Sequence, residues 1–151
     1  MPKLGMEPIR RAALVDATIA MIGETGSLDV TVSAIAKRAG MSSALAHHYF
    51  GSKDQIFLAA MRHILASFGE RARQELKHAQ TPRERLNSII AACFDPDEFE
   101  PEVISSWLSF YVQAQTSDGA RRLLRIYTQR LHSNLVYNLN ELTNPANAQS
   151  Q

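Results

Sequence analysis

The sequence predicts an all-α protein: an N-terminal head of three short helices with a helix-turn-helix outline, carried on a longer helical body. Three observations lead to this. Apolar residues recur at i, i+3, i+4 and i+7 in run after run, the runs are punctuated by helix-start and helix-stop residues, and no segment alternates with the period of a strand. No internal repeat is visible.

The first helix begins at Glu7 or Pro8 and runs to about Glu24, with Leu14, Ala17 and Met21 as its buried stripe and Gly26 at its end. Thr31 is placed to cap a second helix, its hydroxyl accepting a first-turn backbone N–H that has no other partner. Val32, Ile35, Ala36 and Ala39 then make one apolar face. Gly40 falls where a helix ends in a left-handed residue, a conformation glycine adopts without the penalty a Cβ brings. Ser42 or Ser43 caps a brief third helix that ends near Tyr49 and Phe50.

Ser52 and Gln55 have the S-x-x-Q form of a capping box, opening a helix long enough to join head to body, with Phe57, Ala60, Met61, Ile64, Leu65 and Phe68 on one face. Thr81-Pro82-Arg83-Glu84 repeats the device with proline at the first helical position, where its missing N–H is harmless. Leu86, Ile89, Ile90, Cys93 and Phe94 follow as a buried face. Residues 95–101 hold two prolines among acids and read as a solvated loop, with a carboxylate that helps to hold a cation as the alternative reading. Ile104, Trp107, Leu108 and Tyr111 form the next stripe, which residues 116–119 break. A last helix runs from about Ala120 to Leu142, with Leu124, Tyr127, Leu131 and Leu135 on one side, until Thr143-Asn144-Pro145 stops it. The reading divides the chain into a head, 1–53, a body, 54–143, and a polar tail, 144–151, that has nothing to bury and is expected to be disordered.

With 151 residues, 45% of them hydrophobic, the chain can bury a sizeable core but is short for two independent domains. The net charge of +1 conceals a segregation. Lys3, Arg10, Arg11, Lys37, Arg38 and Lys53 lie in or beside the head, whereas Asp95, Asp97, Glu98, Glu100 and Glu102 cluster in the body, so a basic footprint is local. A single cysteine, Cys93, excludes an internal disulfide and a multi-cysteine zinc site, and reads as a small core residue. No stretch approaches the roughly 20 apolar residues of a membrane span, and the N-terminus has no secretory apolar run. A cytoplasmic protein away from the membrane is expected. No nucleophile, base and acid set, phosphate loop or metal spacing appears, so neither an enzyme nor a cofactor or metal is expected.

A helix that enters the major groove needs small or polar side chains at its start, so that its backbone can approach and hydrogen-bonding groups can reach base edges. Ser42, Ser43, Ala44, His47 and His48 supply such a surface, and adjacency points the two histidines to different sides of the helix. Lys53 opens the following helix, where its ammonium and the positive helix end can meet one phosphate. Thr31 and the Tyr49 hydroxyl are further phosphate candidates, and Phe50 belongs to the core.

The whole run TVSAIAKRAGMSSALAHHYFGSKDQIF, residues 31–57, resembles the DNA-binding head of the TetR family of bacterial repressors. The family's spaced pattern is matched by Thr31, Ile35-Ala36, Ala39-Gly40, Tyr49-Phe50 and Lys53. MPKLGM at the start, HYF in the head, and Trp107-Leu108 and Ser133-Asn134-Leu135-Val136 in the body extend the likeness to the family's choline-responsive branch, which controls glycine betaine synthesis genes. The resemblance implies a homodimer on a palindromic double-stranded operator, released when a small molecule enters the body.

Choline, the inducer implied by that resemblance, is a quaternary ammonium that donates no N–H, so it is held over aromatic faces at about 0.5–2 kcal/mol each. Trp107, Phe110, Tyr111 and Tyr127 are candidates for such a cage, though aromatics at helical spacing also serve as core. Members of the family are usually longer. The chain is therefore expected to stop short of the usual dimerisation helices, which would weaken pairing and leave the stripe on the last helix uncovered unless the helix from Leu124 to Leu142 serves for association. The alternatives are a shortened regulator that acts by pairing with a full-length relative, or a repressor with a different small-molecule inducer.

Overall fold

The computed structural model describes residues 5–144 and 146. Seven α-helices and one 3₁₀ turn account for nearly all of them, with no strand among the described residues. Helix α1 spans Met6–Thr25, α2 Val32–Arg38, α3 Ser43–Phe50 and α4 Lys53–Leu76. The body continues with α5 Pro82–Cys93, the 3₁₀ turn Pro96–Phe99, α6 Pro101–Thr116 and α7 Asp118–Thr143. The expected disorder of the tail falls almost wholly outside the described residues.

Local chemistry builds the head. Thr31 accepts from the Ala34 N–H at 3.1 Å, Ser42 from Leu45 at 3.2 Å and Ser52 from Gln55 at 3.3 Å, each satisfying a first-turn donor that the helix leaves open. Of the expected box at Ser52 this forward bond is formed. The α2 end is a Schellman closure: the Gly40 N–H bonds the Lys37 carbonyl at 3.1 Å and the Met41 N–H the Ala36 carbonyl at 2.9 Å. Gly40 has φ 71°, which a Cβ would penalise.

One core gathers Leu14, Ile22, Val30, Ile35, Ala36 and Ala46 with Ile56 and Phe57, so the first turn of α4 packs into the head. A second joins Val15 of α1 to Leu58, Ala60, Met61 and Ile64 of α4, Phe110 of α6, and Ala120 and Leu124 of α7. Phe50 packs against both. The two cores meet along α1 and α4, which carry residues of each.

Helix α6 touches α1 and the start of α4. A Cβ on Gly23 would lie 2.6 Å from Glu102 Cβ and 2.9 Å from its Cα, so only glycine permits this approach of α1 to α6. At the other end of α6, Gln113 Nε2 donates to Asp54 Oδ1 at 2.8 Å, reaching the first turn of α4. At the far end of the body, Arg85 Nε donates to Asn138 Oδ1 at 2.7 Å and ties α5 to α7.

Four readings of the body are corrected. The buried side of α6 is Ser106, Ser109 and Phe110, while Ile104, Leu108 and Tyr111 are exposed. Two small serines let α6 lie close to its neighbours, so packing selects that face over the more apolar one. On α5, Leu86, Ile89 and Ala92 are buried, but Ile90 and Phe94 are exposed, because the neighbouring helices cover only one side. The supposed loop at 95–101 contains the 3₁₀ turn, whose Asp95 caps the Asp97 N–H at 2.9 Å. Lastly, the α7 stripe is covered: Leu124 is buried and Tyr127, Leu131 and Leu135 are half-buried, since α7 packs on α4, α5 and α6.

Candidate DNA interface and ligand cavity

Helix α3 presents an exposed face. Ala46 is fully buried, whereas Ser42, Ala44, His47 and His48 are exposed and Ser43 is half-buried. His47 and His48 follow Ala44 at i+3 and i+4, and although adjacency turns them to different directions both are exposed, so neither packs inward. His47 Nδ1 sits 3.2 Å from the Gly51 carbonyl oxygen. A carbonyl only accepts, so a hydrogen bond at this contact places the proton on Nδ1 and leaves Nε2 for another partner. The His48 ring rests 5.7 Å from that of Tyr49.

Around this face the basic groups are partly committed. Arg10 Nη1 donates to the Tyr49 hydroxyl at 3.4 Å, and the Arg11 guanidinium lies 5.5 Å over the Tyr49 ring and 5.1 Å over Phe50. Glu7 also holds Arg11, at 2.8 Å. Arg38 is bonded through both terminal nitrogens to Glu24 at 2.6 Å, and this pairing lowers the Glu24 pKa and raises that of Arg38. Lys53 is the first residue of α4, and its ammonium folds back to 5.2 Å over the Phe57 ring. Thr31 is exposed beside the free N–H groups of α2. Lys3 lies outside the described residues.

In the body, Trp107, Tyr111 and Tyr127 converge on one cavity of about 220 Å³. The Trp107 ring is 5.4 Å from Tyr127 and 6.4 Å from Tyr111, and Phe68 meets Tyr127 edge-on at 5.5 Å. Phe110 is apart from them: it is 1% exposed and belongs to the body core. The cavity lining also includes Cys93, Glu98 and Phe99. Burial, with lesser contributions from the nearby Cys93 and Tyr111, pushes the Tyr127 phenol up to about 12. Burial also raises the Cys93 thiol. Both groups are therefore neutral near pH 7.

Phe68 and Phe99 were missed as cavity residues by sequence reasoning, and Glu98 was covered only by the alternative that some carboxylate of the acidic run helps to hold a cation. The single signal was an aromatic, Phe99, embedded in an acidic run, which argues against a fully solvated loop. The Glu98 side chain is only 8% exposed, accepts from Trp107 Nε1–H at 3.4 Å and pairs with Arg71 of α4. Arg71 in turn lines a separate cleft of about 750 Å³ between α1, α4 and the start of α6, where Asp16, His63, Asp97, Glu100 and Glu102 also lie.

Comparison with known proteins decides the family. Residues 14–60 match the description of bacterial regulatory proteins of the tetR family, and residues 82–151 that of the BetI-type transcriptional repressor C-terminal domain. Over 148 residues the chain is 57% identical to the HTH-type transcriptional regulator BetI of Brucella melitensis biotype 2, covering 98% of this chain and 75% of that protein. The chain belongs to the TetR family, in its BetI-type branch. The BetI regulator of Agrobacterium fabrum is 53% identical over 98% of this chain and 72% of its own length.

This BetI-type chain is accordingly a transcriptional repressor of the TetR kind. Two of the solved structures that share its fold illustrate the likeness. A transcriptional regulator from Pseudomonas aeruginosa PAO1 superimposes with a TM-score of 0.81 at 23% identity, covering 93% of this chain and 67% of that one. A transcriptional regulator from Saccharomonospora viridis, solved in complex with choline, gives 0.77 at 23% identity, over 87% and 68% of the two chains. No helix among the described residues is long and apolar enough to cross a membrane.

Proposed function

We propose that two copies of this repressor grip a palindromic operator in the cytoplasm and that choline, bound in the aromatic cavity, releases it. In each head, residues 42–48 face base edges, with Ala44 allowing close approach and His47 Nε2 and His48 offering hydrogen bonds. Lys53, Thr31 and Tyr49 hold phosphates on either side, Lys53 from the first turn of α4 where the helix dipole adds to its charge. Phosphate contacts fix the register and the α3 face reads the sequence. Two heads on one duplex need half-sites separated by a whole number of helical turns.

The observation that carries the ligand reading is the convergence of the Trp107, Tyr111 and Tyr127 rings on one small cavity. A trimethylammonium head presents only methyl groups and a diffuse positive charge, and each aromatic face it meets contributes about 0.5–2 kcal/mol. A neutral Tyr127 serves by its ring face. At about 220 Å³ the cavity suits a small cation better than a drug-sized molecule. The choline complex of the Saccharomonospora viridis regulator supports the same choice of ligand. Choline releases the operator only to the extent that it prefers the arrangement of heads that does not fit DNA.

A mobility-shift titration on a palindromic operator, with and without choline, tests both halves. Absence of a shift at low salt would refute the DNA reading; a shift indifferent to choline would refute the ligand alone. Lys53→Gln should weaken binding evenly across operator variants and, with one Lys53 in each of the two heads, reduce the salt slope by about two.

A further inference from the structure

We propose that Glu98 is the counter-ion of the bound quaternary ammonium, and that Arg71 occupies that carboxylate until the ligand displaces it. The inference rests on the aromatic cavity being the choline site. It begins from a carboxylate that lines this cavity with only 8% of its side chain exposed. A carboxylate so far from water persists as an anion only with partners, and Glu98 has two: the Trp107 indole N–H at 3.4 Å and the Arg71 guanidinium. Its neighbours in the same acidic run, Asp97 and Glu100, are exposed and line the cleft instead.

The Arg71 pairing leaves the cavity without free negative charge. A second cation arriving beside Trp107 meets one carboxylate and one guanidinium, and at contact distances inside a protein two like charges repel strongly. Cation and Arg71 therefore compete for one anion. The ring faces draw a quaternary ammonium in, and Glu98 then rewards whichever cation sits closer.

The alternative position for Arg71 is already built. Its side chain forms part of the wall of the cleft that holds Asp16 of α1, Glu100 and Glu102. Released from Glu98, the guanidinium finds carboxylates there, one of them on a helix of the head. Arg71 also shares α4 with Lys53, so the exchange trades a tie between α4 and the 3₁₀ turn for one between α4 and α1. The two pairings give Arg71 two discrete states, and the charge of the ligand selects between them. A neutral molecule of the same shape fills the cavity without displacing Arg71.

The test compares choline and tetramethylammonium with 3,3-dimethyl-1-butanol, the uncharged isostere of choline, by calorimetric titration and by operator release. Wild type should release operator with either cation and not with the isostere. Glu98→Gln should reduce the preference for choline over the isostere by about ten-fold or more, a ratio that is insensitive to a general loosening of the cavity. Arg71→Gln should bind choline more tightly while its operator affinity responds less to choline. Equal release by choline and the isostere in wild type, or an unchanged preference in Glu98→Gln, overturns the counter-ion role. An Arg71→Gln protein with wild-type affinity and release overturns the exchange. Failure of wild type to bind either cation overturns the choline reading itself, and this inference with it.

Discussion

In the head, the groups that define each helix lie within a few residues of one another: Thr31 with Ala34, Ser42 with Leu45, Gly40 and Met41 with Lys37 and Ala36. In the body, the aromatic cavity draws Phe68 from α4, Cys93 from α5, Glu98 from the 3₁₀ turn, Trp107 from α6 and Tyr127 from α7. The head is thus specified by short-range chemistry and its surface is the part left over, while the cavity exists only when four helices have docked. The proposed DNA reader, which must keep a fixed shape, and the proposed ligand site, which must yield, fit these two modes of construction. Perturbing the body should accordingly reach further than perturbing the head.

The largest effect is expected where the body core is removed. Phe110 is 1% exposed and packs among residues of α1, α4 and α7, so Phe110→Ala should destabilise the protein by about 3–5 kcal/mol in denaturant titration. Because Phe110 is apart from the cavity lining, Phe110→Leu, which retains most of the volume, should bind choline nearly as wild type does. Tight binding lost in Phe110→Leu would return that ring to the ligand site.

Next comes the joint between the two regions. Gly23→Ala places a methyl group 2.9 Å from the Glu102 backbone, which cannot move aside as a flexible side-chain end can. Overpacking of this kind should cost about 1–3 kcal/mol. It should also alter operator affinity, since α1 is wedged from α6 while α3 keeps its own surface. A variant that loses stability with operator binding intact would show that the α1 to α6 contact has no part in setting the heads.

The same division decides what was legible in the sequence. Caps, the Gly40 turn and the spaced pattern from Thr31 to Lys53 were readable because each rests on neighbours in the chain. Trp107, Tyr111 and Tyr127 were readable as aromatics at helical spacing, but not the rotation of α6, since Leu108 and Phe110 are both apolar and only docking shows which is buried. Glu98 was hidden because nothing local separates it from Asp97 or Glu100. Its burial comes from Arg71 and Trp107, which the fold supplies.

A smaller effect isolates the backbone term of the head. At Gly40 nothing lies within 4 Å of an added Cβ, so Gly40→Ala meets no clash and bears only the left-handed conformation, roughly 1–2 kcal/mol. The loss should appear in thermal melting. Operator affinity measured well below the melting transition should change little if the Schellman closure between α2 and α3 survives. A large drop in affinity at full folding would mean that the turn has opened.

The smallest effect concerns a purely local device placed in the body, the capping box of α5. Glu84 accepts from the Gln80 N–H at 2.7 Å and the Thr81 N–H at 3.0 Å, and these backbone bonds, in that order, hold its carboxyl below the ordinary carboxylate value. A depressed folded pKa means that the unfolded chain takes up the proton first. The contribution of Glu84 is therefore complete above the ordinary carboxylate pKa and is lost as pH falls through the lower folded value. Glu84 is solvent-exposed, so the contribution is small and salt screens it. Glu84→Gln keeps an acceptor but removes the titrating group, and should flatten the acid limb of the stability profile slightly while leaving the neutral region close to wild type. Because the box is closed within residues 80–84, choline binding at the distant cavity should not change with it; a change would show that α5 transmits its end structure to Cys93, and that the body is less divisible than the head.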